Sequence, residues 1–162
     1  MNSEEENFMR LAIEEAEIAY QRGDLPVGAV LTINNNLIGR CSNLATTRSD
    51  WFSHAESFLL YQFSGAIKKN KEADIKLYTT WEPCLMCASI ASLCRISKMI
   101  YACSDPVGGI ASLNEKNLPN WYHRHWPKIK KGPFEKESYE LLTKYMKEHK
   151  NVWGDFLSKF EK

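Results

Sequence analysis

The chain contains no run of about 18 apolar residues, so no segment reads as a membrane span. Its opening, MNSEEENF, lacks the basic-then-apolar pattern of an export signal, and the expectation is a cytoplasmic protein. Glycine (8) and proline (6) are too sparse for a flexible linker, and neither a repeat nor a low-complexity tract is present. At 162 residues the chain reads as a single domain over 1–162, long enough to bury a substantial core. Charge of one sign is also missing. The 21 Lys and Arg against 20 Asp and Glu leave a net charge of +1, which argues against a chain held to nucleic acid by bulk positive charge. Cysteine is present in an odd number, five, and two of the five stand in a C-x-x-C at Cys84 and Cys87. That pattern argues against a disulfide framework and for metal binding or redox work.

The near-zero balance conceals a gradient. Residues 1–24 carry a net −5, residues 25–115 a net +1, and residues 116–162 a net +5. The last third is therefore able to meet an anion although the whole chain is almost neutral.

Apolar spacing over 4–21 predicts an amphipathic helix ended by Gly23 and Asp24. Val27–Ile33 and Leu37–Cys41, joined by an Asn-rich turn, predict a β-hairpin. Residues 42–53 read as a loop. Ser53 is expected to cap a helix over 54–68, with Glu56 as the reciprocal acid. Ile75–Thr80 and Ser97–Ala102 read as strands. Between them Pro83 is expected to open a buried helix over 83–94. A long loop then leads to a short strand near 128–131 and helices near 135–149 and 151–160. This order implies an α/β fold with a mixed sheet covered by helices on both faces.

The chemistry concentrates in two short pieces. His54-Ala55-Glu56 is followed, thirty residues after the His, by Cys84 of Pro83-Cys84-Leu85-Met86-Cys87. Two sulfurs at i and i+3 share one face at a helix start, where anionic sulfur is favoured. An imidazole from another helix start makes three protein ligands, the count of a catalytic zinc site that keeps a place for water. Glu56 is placed to reach that water without being a ligand, and to move its proton. H-x-E followed by P-C-x-x-C is the signature of the zinc deaminases, so the assignment joins a known motif to this chemistry.

On these residues the chain resembles the cytidine and deoxycytidylate deaminase superfamily, and within it the tRNA-specific adenosine deaminase branch. The likeness includes LPVGAVLTINNNLIG at 25–39, Asn43, Thr80 to Cys87, Cys94-Arg95-Ile96, Asp105, Ala111-Ser112-Leu113 and KIKKGPFEKESYELL from 128. It covers roughly residues 8–149. The resemblance implies a three-layer α/β/α fold with a five-stranded sheet, a bound zinc held by His54, Cys84 and Cys87, Glu56 as the catalytic acid–base, and a homodimer. It further implies substrate contacts from Asn43, Ala55 and Asp105. The chain departs from the family at Trp51 and Phe52, bulky rings able to reshape the pocket entrance or shut out a large substrate, and at Trp81, where the family prefers Leu.

Several residues also have plainer readings. Asn43 can cap its own backbone and Asp105 can simply form a turn. Cys41, Cys94 and Cys103 read as core thiols, and His149, on a Lys/Glu-rich helix, as surface. The Trp, Tyr, His, Lys and Arg of 116–131 either stack bases and meet phosphate or pack an interface. The leading expectation is hydrolytic deamination of a nucleobase, most simply adenosine to inosine in tRNA. A free-base or nucleoside deaminase of guanine, cytosine or cytidine type is the alternative within that chemistry. A non-catalytic deaminase-like binding subunit is the alternative outside it, disfavoured because Glu56 is retained.

Overall fold

The computed structural model describes residues 3–161. Helix α1 (Ser3–Arg22) buries Met9, Ala12, Ile13, Ala16 and Ala19 at helical spacing, with Glu4, Glu5 and Glu6 in its first turn, where the helix dipole favours acids. Gly23, at φ +91°, ends it in the left-handed conformation that glycine tolerates best. Strands β1 (Gly28–Ile33) and β2 (Asn36–Ser42) pair antiparallel. Asn34 and Asn35 turn the hairpin with positive φ at both positions, the geometry a two-residue turn requires.

After β2 come α2 (Ala45–Arg48), α3 (Ala55–Gln62), α4 (Ser64–Lys69), β3 (Ile75–Trp81), α5 (Leu85–Leu93) and β4 (Lys98–Cys103). A 3-10 turn (Glu115–Asn117), α6 (Asn120–His125), β5 (Lys128–Lys131), α7 (Glu135–Glu148) and α8 (Lys150–Phe160) complete the chain. The five strands form one mixed sheet in the order β2-β1-β3-β4-β5, with β3, β4 and β5 mutually parallel. Alternation along the strands divides the core. Val30, Tyr78, Ile100 and Ala102 meet Met9 and Ala12 of α1, while Ala29, Leu31, Leu77 and Met99 face the side carrying α3 and α5. Each large side chain so buried contributes about 1.5–3 kcal/mol. The sheet is thus covered on both faces, as expected. Gly28 is where α1 sits closest to it, since a Cβ there would lie 2.0 Å from the Ala12 carbonyl oxygen.

Six local expectations are corrected. The 42–53 segment is not wholly loop, because Asp24 organises α2 by accepting hydrogen bonds from the Thr47 N–H and hydroxyl. The helix expected over 54–68 breaks at Phe63 into α3 and α4. Ser53 does not cap it: its hydroxyl donates to Asp50, His54 holds the N-cap position, and Glu56 turns inward. The helix expected from Pro83 begins at Leu85, because Cys84 is extended and bridged to Gly109. That helix is not fully buried either, since Leu85 (51%) and Leu93 (56%) are exposed. Finally, the long loop contains α6, where Pro119 precedes a helical turn of aromatic and basic residues.

Candidate active site

The starts of α3 and α5 bring the two motifs together beyond the carboxyl end of β3, where open α/β sheets place ligands. His54 and Cys84 are both N-cap residues with extended backbone, and Cys87 lies in the first turn of α5. His54 Nδ1 is 3.7 Å from Cys84 Sγ and 3.6 Å from Cys87 Sγ, and the three ligand atoms lie within 4.8 Å of one another. Zinc bonds of about 2.3 Å to sulfur and 2.0–2.1 Å to nitrogen, at a tetrahedral angle, separate N from S by about 3.6 Å. The two N–S separations therefore match those of a zinc site, and the ring nitrogen facing the sulfurs is Nδ1.

The electrostatics agree with a ligand role. A hydrogen bond from the Cys87 thiol, aided by the neighbouring His54 imidazole, holds Cys84 down to about 4, so it is a thiolate at neutral pH. Cys87 is correspondingly pushed up by its hydrogen bond to Cys84 and by burial.

Glu56 is buried, with Oε2 3.8 Å from Cys87 Sγ and Oε1 accepting from the Thr79 hydroxyl at 3.0 Å. Burial raises its pKa, against the opposing pull of His54. A carboxyl so placed accepts a proton more readily than an exposed one, which suits a proton shuttle. Ala55, wholly buried, is the first residue of α3, where the backbone N–H has no acceptor within the helix.

Beside His54 opens a cavity of about 560 Å³. Asn43, Ala45 and Trp51 line it from one side of the sequence, and Tyr145, His149 and Trp153 from the other. Asn43 is buried and its Oδ1 accepts from the Ala45 N–H at 2.9 Å, so the side-chain oxygen organises α2. Asp105 is not among the lining residues. Its Oδ1 accepts from the N–H groups of Val107 (2.8 Å) and Gly108 (2.9 Å), which makes it a turn former. Trp51 and Phe52 do not close the entrance: Trp51 (86% exposed) stands at the rim and Phe52 (70%) does not line the cavity.

Three features escaped the sequence reading. Thr79 orients Glu56, and its only signal was a pair of threonines, Thr79 and Thr80, at the buried end of the strand. Glu82 accepts from the N–H groups of Asp105 (2.9 Å) and Ala111 (2.7 Å) and so ties the 105–111 loop to the residues before Cys84. His149 is a cavity-wall residue rather than a surface one, because the chain bends there between α7 and α8. Trp81 packs edge-on against Phe156 (5.5 Å) and Phe160 (5.9 Å), which seats α8 over the end of β3.

Comparison with known proteins accords with this geometry. Residues 2–103 match the family model described as the cytidine and deoxycytidylate deaminase zinc-binding region. A tRNA-specific adenosine deaminase of Agrobacterium fabrum is 33% identical over 90% of this chain and 96% of its own. One from Bacillus subtilis is 32% identical over 90% and 91%. A solved structure from work on A-to-I editing by tRNA:A34 deaminases at the wobble position of transfer RNA superimposes with a TM-score of 0.74 at 34% identity, covering 84% of this chain and 99% of that one. A guanine deaminase from Nitrosomonas europaea shares the fold at a TM-score of 0.65 and 18% identity, over 85% of this chain and 82% of its own. With the zinc-fitting donor set and the buried Glu56 in place, the chain belongs to the cytidine and deoxycytidylate deaminase family.

Proposed function

We propose that this chain is a zinc-dependent hydrolytic deaminase converting adenosine to inosine within tRNA, working as one domain over residues 1–162 in the cytoplasm. The observation that carries this is the cluster of His54 Nδ1, Cys84 Sγ and Cys87 Sγ with the buried carboxyl of Glu56 beside it. Preference for RNA over a free base is supported by similarity to tRNA-specific adenosine deaminases along nearly their whole length. It is supported also by a cavity larger than one base fills, and by the net +5 of residues 116–162. The exposure of Trp51 and Phe52 removes the main argument for a pocket closed to large substrates.

His54, Cys84 and Cys87 would hold the ion, which when bound would supply a Lewis acid that lowers the pKa of a water in the site toward about 7. Glu56 takes a proton from the attacking water and passes it to the ring nitrogen next to the reacting carbon. It then moves a second proton to the amino group, which leaves as ammonia while the carbon becomes a carbonyl. Thr79 keeps the Glu56 carboxyl aimed during both transfers. The Ala55 N–H is a donor for the developing oxygen, and the Asn43 amide fixes the base edge. Asp105 acts by shaping the loop next to the site, not by touching the base.

Ammonia release from a panel of bases, nucleosides and tRNA tests the reading, with turnover expected only on tRNA. Salt separates the substrates as well: RNA binding falls steeply with ionic strength, whereas a free base is almost indifferent to it. Homodimer formation belongs to the same proposal, since Leu85 and Leu93 leave exposed apolar side chains near the two ends of α5 for a second copy to cover.

A further inference from the structure

A carboxylate is buried where α1 ends. The Asp24 side chain is wholly out of solvent, yet it accepts from the Thr47 N–H at 2.8 Å, the Thr47 hydroxyl at 2.6 Å and the Arg22 Nε at 2.7 Å. Burial works to raise its pKa, and the bonds from Thr47 and Arg22 outweigh that and hold the carboxyl below the usual carboxylate range. The fold therefore keeps the charged form at neutral pH. Stability alone is a poor reason for such a pair, because apolar residues of similar volume commonly do as well. What the pair supplies is direction.

The same guanidinium reaches past Asp24. Its Nη2 donates to the Asn43 carbonyl oxygen at 2.6 Å and to the Ser42 hydroxyl at 3.1 Å. Asn43 is thus held on both sides of its backbone, since its own N–H donates to the Val27 carbonyl at 2.8 Å. Helix α2, tied to Asp24 through Thr47, returns to the same residue, because the Ala45 N–H donates to Asn43 Oδ1 at 2.9 Å. Two routes from one ion pair converge on Asn43, one on its backbone and one on its side chain. Asn43 and Ala45 line the cavity beside His54, whereas Arg22 and Asp24 do not. A planar guanidinium suits this work better than an ammonium, because its fixed fork meets a carboxylate, a hydroxyl and a carbonyl at once.

We propose that Arg22 and Asp24 are positioning residues for the deamination: together they fix Asn43 and so set the angle at which its side chain meets the base. This rests on the deaminase reading above and deepens it, naming what orients the group that holds the base. The pair touches neither the substrate nor the metal ligands and acts through Asn43.

The geometry makes the test specific. Arg22 grips the Asn43 carbonyl, which Asn43→Ala retains, so any purely structural service of Arg22 survives that change. Deamination under enzyme excess is compared for the zinc-loaded wild type, Arg22→Ala, Asn43→Ala and the double variant, on tRNA or whichever base or nucleoside the wild type turns over. Arg22→Ala alone is expected to slow the reaction on the order of tenfold, since a small misplacement of a bound group is felt strongly in the rate. Asn43→Ala is expected to slow it more, and adding Arg22→Ala to it to slow it no further. Melting temperature should behave differently, falling by the same amount on Arg22→Ala with or without the change at Asn43. Arg22→Lys keeps a charge beside Asp24 but not the fork, and should show the same dependence on Asn43 with a smaller loss. Circular dichroism establishes which variants are folded, and Arg22→Lys carries the test if Arg22→Ala is not. Rate losses from Arg22 and Asn43 that multiply, or an unchanged rate in both Arg22 variants, overturn the proposal. Failure of the deaminase reading shows separately, as a wild type that releases ammonia from no base, nucleoside or tRNA.

Discussion

Glu56 stands on the first turn of a helix where sequence invites a surface capping role, yet its carboxyl is turned into the protein onto Thr79. The motif identified the residue and its chemistry, but the cap it was expected to share with Ser53 does not form. Ser53 is engaged by Asp50, whose carboxyl is held down to about 2 by the Ser53 hydroxyl and the N–H groups of Phe52 and Ser53. A proton shuttle in that position has a sharp signature. Glu56→Gln keeps the shape and the Thr79 contact but carries no transferable proton, so turnover should fall by roughly 10²- to 10⁴-fold. Zinc content, measured by atomic emission, should stay at that of the wild type. Loss of metal along with activity would instead make Glu56 a ligand or a fold element.

At the scale of elements, the hairpin, α1, β3, β4 and the last two helices were legible because their periods and turn residues agree with their burial. Asn34 and Asn35 carry the positive φ that the turn needs, and the Met9–Ala19 stripe meets the sheet. What was not legible depends on contacts distant in sequence. The start of α5 is delayed past Pro83 by the bridge from Cys84 to Gly109, and α2 exists because Asp24, far back in the chain, ties down Thr47. Glu82 belongs to this class too. Glu82→Ala strands the Asp105 and Ala111 N–H groups and should cost about 1–3 kcal/mol in urea unfolding, with Glu82→Gln losing less because one acceptor oxygen remains. Equal stability of all three proteins would mean that the loop is held by something else. The exposed leucines of α5 make a different prediction. Leu93→Lys should shift the protein from dimer to monomer in analytical ultracentrifugation while leaving the melting temperature of the monomer near that of the wild type. A dimer that survives this change would have its interface elsewhere.

For the whole molecule, burial of neutral groups sets an alkaline limit to stability. Burial pushes Cys41 up to about 11, and Cys103 and Tyr78 up to about 12. Each is raised above its unfolded value, so its contribution is fully present below that value and is lost as pH rises toward the folded one. The melting temperature should therefore decline steadily from about pH 9 upward. A level profile through about pH 11 would mean that these groups ionise without penalty. The charge balance also changes meaning at this scale. A net +1 looked unpromising for an RNA enzyme, but the positive third of the chain includes the α7–α8 elbow that walls the cavity. The grip on RNA is local rather than spread over the surface.

The central claim, that this zinc-fitting site deaminates adenosine held in RNA, meets its most direct test in inosine formation. The zinc-loaded protein is incubated with an unmodified tRNA, with free adenosine and with free guanine, and the products are resolved by chromatography after nuclease digestion. The account predicts inosine from the tRNA and no conversion of either free compound. Guanine or adenosine converted while the tRNA stays unchanged would contradict it.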